Sequence, residues 1–269
     1  MTSRGASGIA AVGWLVAFLL GLPVVALVAR ALLGGSLGVA LASPAVVEAL
    51  MLSLATTAVS LVVTAGVGLP LAILLARRAP GRASTMLETL VDLPIVLPPS
   101  VAGLALLLVL GRAGLLGPAL QAFGLEIPFT TAAVVVAQVF VSAPLFIRSA
   151  RLGIAGVGRD LEDAARVDGA GEGDLLRAIT LPIAAPALAA GLVMSWARAL
   201  GEFGATIMFA GNIEGRTQTL PLVVYGDFQA GDLDGSVAAA AILVLAALAV
   251  LVAVRSFHWQ RALDLRAIG

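Results

Sequence analysis

Apolar residues run along this chain in blocks far too long for the strands or amphipathic helices of a soluble domain, and polar positions gather in the short segments between them. Runs of about 20 residues or more, enough to cross ~30 Å of hydrocarbon, fall near 9–33, 49–76, 87–110, 131–153, 183–209 and 235–256. Unpaired backbone polar groups are not tolerated in lipid, so each run predicts a helix. The pattern defines an all-α polytopic membrane protein with about six transmembrane helices, one membrane domain over 1–269. The two longest connections differ in character. Residues 159–182 mix both charge signs, whereas residues 210–234 hold Glu214, Asp227, Asp232 and Asp234 against the single Arg216.

Composition agrees with the pattern. Sixty per cent of the 269 residues are hydrophobic, 12% are charged, and the mean hydropathy is +1.07, too apolar for a soluble fold of this length. Formal charge balances to zero, with no basic block of the kind a nucleic acid would call for. There is no cysteine and only one histidine, His258. Disulfides, thiolate chemistry and multi-histidine metal sites are therefore excluded. Arg4 followed by an apolar run, with Ala40-Leu41-Ala42-Ser43 further on, imitates a secretory signal. The run from Gly8 to Leu33 exceeds a signal's ~7–15 apolar residues, so it is expected to be an uncleaved first span.

Arginine sets the orientation. With the N-terminus in the cytoplasm, Arg4, Arg77, Arg78, Arg82, Arg148, Arg151, Arg159, Arg166, Arg177, Arg255, Arg261 and Arg266 all fall inside. Arg30, Arg112 and Arg216 fall outside, and Arg198 lies within a span. Both termini are then cytoplasmic, 159–182 is a cytoplasmic loop and 210–234 an external one.

Within 159-RDLEDAARVDGAGEGDLLRAITLP-182, Asp160, Glu162 and Asp163 crowd the first turn of a short helix and oppose its dipole. Leu161, Ala164 and Ala165 form a narrow apolar face, and Gly169 suits the left-handed residue that ends the helix. Asp174 is placed to cap a second short helix carrying Leu175, Leu176 and Ile179 that ends near Pro182. A helix of about eight residues is marginal alone. Either its own bundle or a separate partner must hold it, and the physics leaves both open.

Three more segments bear on chemistry. Ser195, Arg198, Glu202 and Thr206 recur three or four apart on the fifth run, one helical face. An arginine at mid-bilayer costs ~2.5–3.5 kcal/mol on insertion scales, so this face should avoid lipid. Arg198 and Glu202 read first as an i to i+4 structural clip and second as part of a water-filled path in which Arg198 helps an anion through; the face as a whole is expected to border that path. Ser53, Thr56, Thr57, Ser60 and Thr64 form a hydroxyl stripe on the second run, of the kind that stitches membrane helices together. In 92-DLPIVLPPSVAGLALLLVLG-111, Pro94, Pro98 and Pro99 remove three donors. The result is either a simple kink or a broken helix resuming at Ser100, with its first amides open to an oxyanion. Residues Thr219–Ala230 of the acidic connection read as a short surface helix.

The loop resembles the "EAA" motif of binding-protein-dependent ABC importer permeases. Asp163-Ala164-Ala165, then Gly169, Ile179 and Leu181-Pro182, match its spacing, with Asp for the usual Glu at the first position and Glu162 one residue earlier. Residues 92–117, 196-WARALGEFGATIMFAGNIEGRTQTLPLVVYGDFQAGDLDG-235 and the loop together resemble the molybdate permeases. Sulfate permeases are similar through Gly211-Asn212-Ile213 and Thr219-Leu220-Pro221; Glu214 departs from the proline frequent in the molybdate branch. The resemblance implies a type I importer permease fold with its core at about 48–256, in the bacterial cytoplasmic (inner) membrane. It implies a homodimer of permeases, two ATP-binding subunits seated on the loop, and an external oxyanion-binding protein. The chain itself would bind no cofactor; ATP and Mg would be used by the partner ATPase, and the cargo would be molybdate, with tungstate or sulfate/thiosulfate as alternatives.

No Walker loop ending in Lys-Ser/Thr is present, and every basic residue is arginine. An ion-coupled secondary transporter would share the spans but should show a buried carboxylate relay, for which only Asp92 and Glu202 are candidates, and it would leave the loop unexplained. An intramembrane enzyme lacks a base, since His258 beside Trp259 reads as an interface residue.

Overall fold

The computed structural model describes residues 3–78 and 81–267, with side chains from residue 10 to 254 apart from that gap and at Ser256. The side chains of Arg4, Arg255, His258, Trp259, Arg261 and Arg266 lie outside the described residues. The terminal parts of the arginine asymmetry and the placement of His258 at an interface therefore lie outside them too.

Among the described residues every regular element is helical. Five helices are long and apolar enough to cross a membrane, or six when a bent pair is taken as one span. The chain divides into two compact units: Met1–Leu50 with Thr219–Gly269, and Met51–Gln218.

The first unit begins with α1 (Ser3–Leu33), whose most apolar window has no buried residue. A helix apolar all round and unburied is built to face lipid. Gly35, at φ +72°, turns the chain into α2 (Ser36–Ala42), and Pro44 opens α3 (Pro44–Arg77), which runs on into the second unit. Proline suits that first position because its missing N–H would have no helical acceptor there. The unit closes with α12 (Leu220–Gln229) and α13 (Leu233–Ala267). Ala40, Val46, Ala49, Leu220, Val223, Ala238, Ala239 and Ile242 form its core. The expected surface helix at Thr219–Ala230 is therefore half of a core. Leu220 and Val223 are buried on its inner face, while Tyr225 and Phe228 stay exposed.

The second unit contains α4 (Arg82–Val96), α5 (Pro99–Leu110), α6 (Gly117–Ala122), α7 (Thr131–Ala155), α8 (Arg159–Val167), α9 (Glu172–Leu175), α10 (Leu181–Leu200) and α11 (Gly204–Phe209). α7 and α10 form its spine. Small residues set their separation: a Cβ on Gly153 would lie 2.5 Å from the Ala187 Cβ, and one on Gly191 2.8 Å from the Ser149 Cβ. The same line is stitched by hydroxyls, with Ser149 donating to the Ala187 carbonyl at 2.7 Å and Ser195 to the Ser142 carbonyl at 2.8 Å. The hydroxyl stripe on α3 behaves likewise. Ser53, Thr56, Thr57, Ser60 and Thr64 are all at most 2% exposed. Thr56 and Thr57 donate to carbonyls one turn back at 2.8 and 2.7 Å, and Gln138 of α7 reaches Thr56 at 3.2 Å. Two ion pairs tie α4 to α7, Glu88–Arg151 at 2.8 Å and Asp92–Arg148 at 3.5 Å.

Three expected helices are cut differently. The run at 87–110 is two helices bent by 116°; Pro98 is the N-cap and Pro99 the first helical residue of α5, one place before Ser100. The helix expected to stop near Pro182 continues instead, because a π-helical turn at Leu176–Thr180 joins α9 to α10. The wider turn accommodates a residue with no N–H to give and a ring that would crowd a tighter one. The run at 183–209 breaks between Leu200 and Gly204. Ser195 and Arg198 stand on α10, Glu202 in the linker and Thr206 on α11, so the four residues do not share one continuous face.

Candidate functional site

α8 turns one of its charged residues, Glu162, inward. Glu162, with its side chain 14% exposed, accepts the Thr180 hydroxyl at 2.7 Å and pairs with Arg77 of α3 at 3.3 Å. Arg77 also reaches Glu172 at 2.9 Å. Arg166 bridges Asp163 at 2.8 Å and Glu172 at 2.9 Å, and the Glu172 contact holds its guanidinium above the ordinary arginine range. These groups line a cleft of about 490 Å³ beside Ile154, Val157 and Arg159. Exposed pairs are each worth under ~1 kcal/mol, so what the network fixes is geometry.

With Glu162 held inside, the apolar side of α8 is left to solvent: Leu161 is 53% and Val167 87% exposed, and Ala164 is exposed beside them. Gly169 (φ +91°) ends the helix in a Schellman motif, its N–H on the Arg166 carbonyl and that of Ala170 on the Ala165 carbonyl, both at 3.0 Å. Asp174 sits at the third position of α9 and accepts from the Gly171 N–H at 3.4 Å. Ile179 lies in the π turn, and Leu181-Pro182 open α10.

A second constellation lies where α5 meets α11. A Cβ on Gly204 would stand 2.7 Å from the Pro99 Cβ and 3.1 Å from the Ser100 nitrogen; one on Gly103 would stand 2.6 Å from the Ala205 carbonyl oxygen. Glycine lets the two backbones touch. Pro98, Pro99 and Ser100 are exposed at the break, and irregular backbone at membrane depth is tolerated only against protein or water. Beside them Glu202 is 1% exposed. One carboxylate oxygen accepts the Ala205 N–H at 2.7 Å, and the other lies 2.7 Å from the Arg198 guanidinium, whose side chain is 35% exposed. Ser195 and Thr206 are buried, and Ser195 is spent on α7. Of the residues expected on the path, Pro99 and Ser100 lie against Gly204 of α11, a contact that sequence reasoning did not name, and Ser195 turns toward the α7 spine.

Sequence reasoning missed Arg77, Glu172 and Thr180 as partners of α8. Glu162 was visible as the neighbour of Asp163, and it takes the inward role while Asp163 stays at the rim with Arg166. A further cleft of about 730 Å³ is lined by Arg112, Glu126, Phe129, Thr130 and Arg216. Phe129 holds φ +61° there.

Candidate spans, a helix broken at Pro98–Pro99 and a loop helix tied down on one face define a polytopic membrane component. The fold agrees with solved ABC importers. It matches the bacterial transporter involved in import of the acidic polysaccharide alginate with a TM-score of 0.74 at 17% identity, covering 96% of this chain and 95% of that one. It matches the MetNI methionine transporter with a TM-score of 0.62 at 20% identity, covering 79% and 94%.

The sequence pattern of the family described as binding-protein-dependent transport system inner membrane component matches residues 68–266, and this chain belongs to that family. It is 44% identical over 212 residues to the molybdenum transport system permease protein ModB of Mycobacterium tuberculosis, covering 79% of this chain and 80% of that protein. Over 180 residues it is 41% identical to ModB of Escherichia coli K12, covering 66% and 78%. To the sulfate transport system permease protein CysT of Salmonella typhimurium it is 35% identical over 217 residues, covering 80% and 78%.

Proposed function

We propose that this chain is the permease subunit of an ATP-driven importer for a tetrahedral oxyanion, molybdate first, in the bacterial inner membrane. The single observation that carries the coupling is α8, whose acid is locked inward while Leu161, Ala164 and Val167 face out. A short helix presented this way is a ready docking ridge. Its residues Asp163, Ala164, Ala165, Gly169, Ile179, Leu181 and Pro182 carry the motif, and we assign loop 159–182 to the groove of an ATP-binding subunit. That subunit uses the ATP and Mg, and this chain hydrolyses nothing.

The working assembly is two permeases, two ATPases and an external oxyanion-binding protein, with both permease termini cytoplasmic and loop 210–234 outside. Pro98, Pro99, Ser100, Arg198 and Glu202 border the path, with Ser195 and Thr206 behind them. The ModB relatives support molybdate, and the CysT relative keeps sulfate as the second reading.

The test is reconstitution of the permease with its ATPase and binding protein in proteoliposomes. Uptake of molybdate with matching stimulation of ATP turnover is the expected result. Uptake of sulfate in preference assigns the second reading, and uptake of an oxyanion driven by an ion gradient without ATP overturns the proposal.

A further inference from the structure

Glu202 does more than a cap requires. Its Oε1 accepts the Ala205 N–H at 2.7 Å, a task that any neutral acceptor of the same reach performs. A buried carboxylate carries a desolvation cost that a neutral acceptor avoids. The other oxygen, Oε2, is buried and has no aligned hydrogen-bond donor among the described residues, although the Arg198 guanidinium stands 2.7 Å away. The contact is therefore one of charge on charge, and it leaves most of the five guanidinium N–H groups uncommitted. The Arg198 side chain remains 35% exposed. An arginine within a span faces the bundle interior or a water-filled cavity and not lipid, so its open side is available to a polar partner.

Resting on the importer reading above, we propose that Arg198 is the contact an oxyanion makes in crossing, and that Glu202 is the positioning and counter-charge residue that keeps this contact weak. An uncompensated guanidinium at low dielectric would hold a dianion by its planar fork. A passage must bind well enough to admit its cargo and loosely enough to release it. The buried carboxylate lowers the attraction of Arg198 while leaving its donors free, and by capping α11 it holds the pair against the α5 break through Gly204 and Pro99.

Glu202→Gln separates charge from cap, because the amide oxygen still accepts from Ala205. In permease–ATPase complexes in nanodiscs, without binding protein, radiolabelled molybdate should bind the wild type only weakly. Glu202→Gln should tighten binding roughly tenfold or more through loss of the counter-charge, and the Arg198→Gln/Glu202→Gln pair should abolish the gain. In proteoliposomes with binding protein, Glu202→Gln should lower the maximal uptake rate several-fold. Arg198→Lys keeps the charge and loses the fork, and should assemble normally yet slow uptake. Equal binding by wild type and Glu202→Gln, persistence of the gain in the double variant, or wild-type uptake by Arg198→Lys would each overturn the inference. If the wild type imports no oxyanion at all, it is the importer reading that fails; if it imports while these variants match it, only the Arg198–Glu202 assignment fails.

Discussion

Thr180 donates its hydroxyl to Glu162 at 2.7 Å, joining the π-helical turn at the base of α10 to the inward face of α8. Thr180 is fully buried, and Arg77 holds the same carboxylate oxygen from α3 at 3.3 Å. Any push on α8 thus reaches the start of the helix that carries Arg198. Thr180→Val, which keeps the shape and removes the donor, should cost ~1–3 kcal/mol for the lost hydrogen bond. The expected phenotype is ATP turnover that persists while transport per ATP falls several-fold. Simultaneous measurement of phosphate release and uptake checks it, and Thr180→Ser should recover most of the coupling.

How much of this was legible beforehand differs from residue to residue. Pro98-Pro99 announces a kink or a break because proline acts through its own missing donor, and the helix breaks there, resuming at Pro99, one residue before Ser100. The serine and threonine stripe on α3 is also readable, since i to i+4 spacing determines which hydroxyls share a face. The end of α10 was not. Glu202 has the right spacing to be an i+4 partner on a continuing helix. Its other oxygen instead replaces a backbone bond at Ala205 and lets the chain turn at Gly201–Gly204. The Arg77–Glu172 contact spans 95 positions, and no local periodicity encodes such a pair. The π turn is equally silent, because its signal is one proline whose ring is as compatible with a helix start as with a widened turn.

The α5–α11 contact predicts a sharp difference between glycines. Gly103→Ala would drive its Cβ to 2.6 Å from the Ala205 carbonyl oxygen, whereas nothing lies within 4 Å of a Cβ on Gly66. Backbone cannot move aside as a flexible side chain can, so Gly103→Ala should lose ~1–3 kcal/mol by overpacking. Gly66→Ala should be neutral or gain up to ~1 kcal/mol from helix propensity. Thermal melts of the two purified variants in one detergent decide between them. Equal melting temperatures would refute the close approach.

Asp227 supplies a pH dependence. Burial, and after it the charge of Asp232, pushes its carboxyl above the usual aspartate range. A raised carboxyl pKa means that the folded state keeps a proton the unfolded chain gives up. Stability from this group is therefore lost as pH climbs from the ordinary aspartate value through the folded one, and stays lost above it. Asp227→Asn should raise the melting temperature at neutral pH, with the gain disappearing below the ordinary aspartate pKa of about 3.9. A gain that is constant across that window would assign the effect to packing instead.

Gly169 gives the direct test of the proposed α8 docking surface. Its φ of +91° lies where L side chains are rarely found, and nothing stands within 4 Å of a Cβ there. Substitution therefore strains the backbone without a clash. Gly169→Val should cost roughly 1–2 kcal/mol of local strain, enough to open the Schellman turn and misdirect the exposed Leu161–Val167 ridge. Because the turn stands apart from the α7–α10 spine, the membrane helices should keep their melting behaviour while the ATPase no longer co-purifies or its turnover no longer responds to oxyanion. Asparagine tolerates the left-handed region better than branched residues do, so Gly169→Asn should retain part of the coupling. Normal oxyanion-stimulated ATP turnover in Gly169→Val would remove α8 from the motor contact, because no other property of that position distinguishes the two substitutions.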